Sequence, residues 1–160
     1  MKLSEESCRL FEYCVSNNLT ISCCESMSAG LLANNLVLNE GASQVFVGGV
    51  LAYHADIKNK IVGIDSDIIH KYGTVSSECC CLMASKIAEI MQSKIGLSIT
   101  GNAGVMPIEG KLRGGYYVGC FFEGRVVSEY HEVISDSRKE IMECSVVDCL
   151  RLALKVLGIK

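Results

Sequence analysis

Three short apolar runs each stop abruptly at a polar or glycine-rich turn, and this repetition constrains the fold more than any other feature of the sequence. Leu19-Thr20-Ile21-Ser22-Cys23 leads into Cys24-Glu25-Ser26-Met27-Ser28-Ala29-Gly30. The continuous run Val45–Tyr53 leads into His54-Ala55-Asp56-Ile57-Lys58. Ile95–Thr100 leads into Gly101-Asn102-Ala103-Gly104. Runs of this length, rich in β-branched residues and bounded by turn formers, read as strands. If the three strands are parallel, their turns share one sheet edge, where open α/β sheets bind ligands.

The remaining segments supply helices and a hairpin. Ser4 caps a predicted helix reaching about Asn17, with Cys8, Phe11, Cys14 and Val15 along one stripe. Leu31–Leu38 reads as a second helix, Ala55–Val62 and Ser66–Lys71 as short ones, and Ser76 caps another that reaches about Lys94. Val105–Gly115 holds the only proline, Pro107, and reads as an exposed loop. Tyr116–Phe122 and Val126–Ile134 pair about Glu123-Gly124-Arg125, and Ser137-Arg138-Lys139-Glu140 is a capping box opening a final helix that ends near Gly158. The order α-β-α-β-α-α-α-β-β-β-α predicts an α/β fold, one domain over 1–160, with helices on both faces of a mixed sheet. Val45–Tyr53, apolar throughout, is expected to be buried on both faces.

Composition narrows the function classes. At 160 residues, 49% hydrophobic and 21% charged, the chain has the material for one sizeable core. A net charge of −3 with no dense basic stripe argues against nucleic acid as a partner. No apolar run is long enough to span a bilayer, and Met1-Lys2-Leu3-Ser4-Glu5-Glu6 lacks a secretory pattern, so a cytoplasmic location without membrane association is expected. The ten cysteines show no C-x-x-C spacing and sit mostly in apolar periodic segments, which makes them core filler. His54, His70 and His131 suggest no metal site.

Two readings of the first turn stand side by side. Ser26 or Ser28 could simply cap the helix that follows. Alternatively, a serine at a strand-to-helix turn has unpaired backbone amides nearby and can act as a nucleophile beside an oxyanion site. Lys58 could then serve as the base, provided burial or a neighbouring cation lowers its pKa; otherwise it is a solvated lysine like Lys60. Arg138, in the first turn of a helix, opposes the helix dipole and so suggests an anionic ligand. Lys111 and Arg113 are further cations that could steer a phosphate.

These motifs, in this order, resemble the C-terminal domain of the competence/damage-inducible protein CinA, a domain that also occurs alone as nicotinamide-nucleotide amidase (nicotinamide mononucleotide deamidase). The family signature A-E-S-C-T-G-G is similar to Cys24–Gly30, and G-G-V-x-x-Y-S-N-x-x-K to Gly48–Lys58. H-G-A-V-S-E resembles Tyr72–Ser77, T-G-I-A-G-P resembles Thr100–Val105, and G-D-R resembles Asp136-Ser137-Arg138. The resemblance implies a three-layer α/β/α sandwich with a mixed, mainly parallel sheet. It implies hydrolysis of the carboxamide of nicotinamide mononucleotide, with Ser26 as nucleophile and Lys58 as its partner, needing neither metal nor cofactor. Ser28, Gly30, Tyr53, Thr100, Gly101 and Arg138 are the implied contacts to a small mononucleotide substrate, and a homo-oligomer is expected. Ala29, Ala55, Asn102 and Val105 depart from the family pattern, so a nucleotide- or partner-binding module without turnover is the alternative.

Overall fold

Helices begin where serine hydroxyls stand ready to accept from exposed amides. In the computed structural model, which describes Lys2 and residues 4–159, Ser4, Ser76 and Ser137 accept from the backbone N–H of Ser7, Cys79 and Glu140. They open α1 (Glu5–Asn17), α5 (Ser77–Met91) and α6 (Arg138–Val156). The other elements are β1 (Ile21–Glu25), α2 (Leu31–Val37), β2 (Phe46–Leu51), α3 (Ala55–Lys60), α4 (Ser66–Tyr72), β3 (Ile95–Gly101), β4 (Gly115–Phe122) and β5 (Arg125–Glu132). The expected order of helices and strands is reproduced, with a 3-10 turn added at Ala42–Gln44. The capping box before α6 closes through a third residue. The Ser137 N–H donates to Ser135 Oγ, and Ser135 in turn donates to Glu140.

The five strands lie in the order β2-β1-β3-β4-β5. β1 is parallel to both β2 and β3, whereas β3–β4 and β4–β5 are antiparallel. The β4–β5 turn is tight because Glu123 and Gly124 both take positive φ, 49° and 77°. Side chains alternate between two cores. Ile21, Cys23, Leu97, Ile99, Val118 and Cys120 face the larger one, under α1, α2 and α6. Cys24 faces the smaller one, with Cys79, Met83 and Ile87 of α5 and Val62 and Ile64 after α3. The result is a three-layer α/β/α sandwich.

Two expectations about strands need correction. β1 starts at Ile21 rather than Leu19, because the Leu19 N–H still bonds Cys14 O (2.9 Å) to end α1, after the left-handed Asn18. β2 is not buried on both faces. It sits at the sheet edge and alternates between half-buried and exposed, leaving Val47 and Leu51 about half exposed.

Seven of the ten cysteines are buried, and all ten are free thiols. Burial pushes the thiols of Cys14, Cys24 and Cys120 up to about 12, so they stay protonated and pack as small apolar groups. Among the described residues, no helix is long and apolar enough to cross a membrane.

Candidate active site

Because β1, β2 and β3 run the same way, their carboxyl ends meet at one edge. Ser26 follows β1 directly, Tyr53 lies two residues past β2, and Thr100-Gly101 closes β3. Around them opens a cleft of about 550 Å³, whose walls include Ser26, Tyr53, Thr74, Thr100, Glu109 and Arg138. That volume suits a small-molecule ligand. All three expected turns reach the cleft.

The sheet ladder continues past the ends of the strands and fixes Ser26 from both sides. Its N–H donates to Ile99 O (2.9 Å), and Glu25 O accepts the Ala52 N–H (2.8 Å). The Ala52 carbonyl then receives the Lys58 ammonium, whose Nζ also lies 3.0 Å from Ser26 Oγ. Lys58 is 1% exposed. Its neighbour on the same short helix, Lys60, is exposed and paired with Asp56 at 3.2 Å. Burial lowers the pKa of Lys58 below lysine's ordinary 10.5, against the opposing pull of Cys79, Cys24 and Glu109. The surface-lysine reading fails for Lys58 and holds for Lys60.

Neither Ser26 nor Ser28 caps α2. That work falls to Glu25, whose buried carboxylate reaches over the turn to accept from the N–H groups of Gly30 (3.0 Å), Leu32 (3.1 Å) and Ala33 (2.8 Å). It also accepts from the Ser28 hydroxyl at 2.7 Å. An anion at a helix start satisfies its orphan amides and complements the dipole. Ser28, fully buried, is thereby committed to Glu25, and Gly30, at φ +96°, is the first residue of the helix cap; both stand behind the cleft wall rather than on it. Ala29 takes φ +51°, the left-handed conformation that favours glycine.

The remaining expected contacts divide into lining and supporting residues. Arg138 Nη2 donates to the Tyr53 hydroxyl at 2.8 Å, so the two share one rim of the cleft. Thr100 is buried, and its hydroxyl donates to Thr74 O at 2.7 Å. Gly101 permits a close approach, since a Cβ there would lie 2.3 Å from Tyr116 Cβ and 2.8 Å from Met27 Sδ. Lys111 sits over the rings of Tyr117 and Tyr130, and Arg113 donates to Asp136 O at 2.6 Å. Neither of these two cations lines the cleft.

One cleft residue was not foreseen. Glu109 accepts from Thr74 Oγ1 and from the Val75 N–H, both at 3.0 Å. Burial works against its charge, but these hydrogen bonds and the nearby Lys58 outweigh it and hold the carboxyl below its ordinary 4.5. The loop that carries it is fastened by Asn102, which donates to Met106 O (2.8 Å) and Lys111 O (3.1 Å).

A hydroxyl against a desolvated amine, beside a small-molecule cleft, is the arrangement needed for serine nucleophilic chemistry without histidine. Of the amides between Ser26 and Gly30, three are engaged: Ser26 with Ile99, Ala29 with Ser26, and Gly30 with Glu25. Met27 follows the serine and lines the cleft, the position whose amide serves the oxyanion in serine enzymes with a strand-to-helix nucleophile turn.

The comparisons with known proteins agree with this architecture. The chain is 36% identical over 127 residues to a competence-damage inducible protein of Bacillus cereus strain G9842, covering 79% of this chain and 31% of the relative. A second relative, from Bacillus cytotoxicus, is 33% identical over 86% of this chain and 34% of its own length. The chain thus spans about a third of the length of the curated relatives it matches. Among solved structures, a competence or damage-inducible protein from Enterobacter asburiae superposes with a TM-score of 0.93 at 22% identity, covering 98% of this chain and 99% of that one. A CinA superfamily protein from Escherichia coli gives 0.92 at 20% identity, over 96% and 90%. The CinA C-terminal domain profile matches residues 4–157. Fold, motif order and sequence match together place the chain in the CinA C-terminal domain family.

Proposed function

We propose that this domain is an amidohydrolase that converts nicotinamide mononucleotide to nicotinate mononucleotide and ammonia. The observation that carries the reading is the contact between a fully buried Lys58 and Ser26 in the floor of a ligand-sized cleft. A lysine placed there merely for stability would be a poor choice, because burying its charge is costly without a carboxylate partner.

In the proposed reaction, neutral Lys58 takes the proton of Ser26 as Oγ attacks the carboxamide carbon. The Met27 amide stabilises the oxyanion, and Lys58 returns the proton to departing ammonia. Water, activated by the same amine, then releases the acid and frees Ser26. Tyr53 and Arg138, already joined at the rim, hold the nucleotide. A cytoplasmic setting fits this chemistry and belongs to the same proposal.

The purified protein is incubated with nicotinamide mononucleotide, and ammonia and nicotinate mononucleotide are measured together. Stoichiometric release of both, lost in Ser26→Ala, is expected. Binding of the nucleotide without turnover would instead support the binding-module reading, for which the departures at Ala55 and Val105 in the cleft wall speak.

A further inference from the structure

We propose that Glu109 is a substrate-specificity residue, whose carboxylate selects the positively charged ring of an N-substituted pyridinium carboxamide over its uncharged counterpart; this rests on the amidase reading above. Among the described residues, Glu109 is the one carboxylate of the cleft lining and Arg138 its one guanidinium, and the two are held by different partners. Glu109 is fixed to the Thr74-Val75 strap, whereas Arg138 is fixed to Tyr53. The cleft is therefore bipolar. A pyridine mononucleotide is bipolar as well, with a cationic ring at one end and a phosphate at the other.

The position of Glu109 is built rather than incidental. Glu109 itself takes φ +50°, an unfavourable conformation for a residue with a side chain. Gly73, at φ +85°, makes room for it, since a Cβ there would lie 2.3 Å from Glu109 Oε2. The Thr74 hydroxyl donates to one carboxylate oxygen and the Val75 amide to the other, and the group so held lines the cleft.

Reach favours the ring as the group that meets this charge. The scissile carbon must come within roughly 3–3.5 Å of Ser26 Oγ, and the carboxamide is attached directly to the ring. The ring therefore lies close to Ser26, in the cleft that Glu109 also lines, and Glu109 is near enough to Lys58, the partner of Ser26, for each charge to act on the other. A cation placed there would also oppose a proton on Lys58, so binding the charged substrate favours the neutral amine the reaction needs.

The test compares two ligands by calorimetry: nicotinamide mononucleotide, and its reduced form, which keeps the phosphate but has an uncharged dihydropyridine ring. It uses Ser26→Ala protein, which is expected to bind without turnover, with and without Glu109→Gln. Expected is a loss of about fivefold to tenfold in affinity for the ligand with the cationic ring and little change for the one with the uncharged ring. Glu109→Lys should lose more for the cationic ring and favour the ligand with the uncharged ring. Equal losses for both ligands would make Glu109 a loop fastener, and no loss for either would make it a bystander; either result overturns the assignment while leaving the amidase intact. If the Ser26→Ala protein binds neither ligand and the wild type releases no ammonia, the amidase reading fails and this inference with it.

Discussion

Lys58 Nζ and Ser26 Oγ, 32 residues apart in sequence, meet at 3.0 Å because both are tied to the same extension of the sheet. Ser26 is held by Ile99 of β3, and Lys58 by the carbonyl of Ala52, whose amide continues the ladder to Glu25. A change at either residue thus alters the chemistry without dismantling an element.

Lys58→Met should separate activity from stability. Methionine nearly matches the lysine stem in length and removes the charge that burial disfavours. Ammonia release is expected to fall by about 10³–10⁴-fold, the scale of a lost general base. The melting temperature should hold or rise. A cooperative unfolding transition well below that of wild type would mean that Lys58 is chiefly structural.

Lys58 also predicts how the protein responds to pH. Its pKa lies below 10.5 in the folded state, through burial, and returns to the ordinary value on unfolding. Between those two values the unfolded chain binds more protons than the folded one, so stability rises with pH across that window. Below the folded pKa both states carry the proton, and the penalty of the buried charge is paid in full. Activity needs the neutral amine, so kcat/KM should climb with pH through the same depressed pKa. Chemical denaturation at a series of pH values should show this slope in wild type and its absence in Lys58→Met.

The sequence distinguishes some of these residues and not others, for physical reasons. The convergence of the three turns follows from strand order and parallel direction alone, so Ser26, Tyr53, Thr100 and Arg138 could be placed near one cleft. Lys58 and Lys60 look alike in composition; they differ because residues two apart on a helix point to opposite sides. In the fold it is the Lys58 side that turns inward, to 1% exposure and within electrostatic reach of Cys24 and Cys79. Glu25 and Glu109 were not legible, since each acts through contacts beyond its own segment. The role of Glu109 depends on Thr74, 35 residues away, and on the missing Cβ of Gly73. Glu25 left one faint signal: α2 starts after Gly30 with no side-chain cap of its own. The exposure of β2 is not legible either, because an apolar run says nothing about whether its strand lies inside a sheet or at its edge.

Ala29→Gly should stabilise the fold. The residue is exposed at φ +51°, where a Cβ costs about 1–2 kcal/mol, while glycine adds about 0.5–1 kcal/mol of backbone entropy lost on folding. The net gain expected is about 0.5–1 kcal/mol, visible as a higher denaturant midpoint at unchanged m-value. Activity should be retained, because Ala29 does not line the cleft. A loss of stability would show that this turn does not hold the left-handed conformation in solution.

Glu25→Gln should affect fold and activity together, unlike either substitution above. Its carboxylate accepts from three backbone amides of the Gly30–Ala33 segment and from Ser28, while its backbone adjoins Ser26. A glutamine keeps one acceptor oxygen but turns an NH₂ group toward donors, leaving buried amides unpaired and the helix start without its anion. The expected loss is about 2–4 kcal/mol of stability. Because the same amides fix the turn that presents Ser26, kcat should fall further than KM rises, since a nucleophile misplaced by even about 1 Å costs on the order of 10²-fold. Steady-state kinetics well below the melting transition check this, and Glu25→Asp tests the cause. Aspartate restores the charge on a shorter stem, so it should recover part of the stability but less of kcat. Equal recovery of both would mean that charge at the helix start, not the shape of the turn, governs the nucleophile.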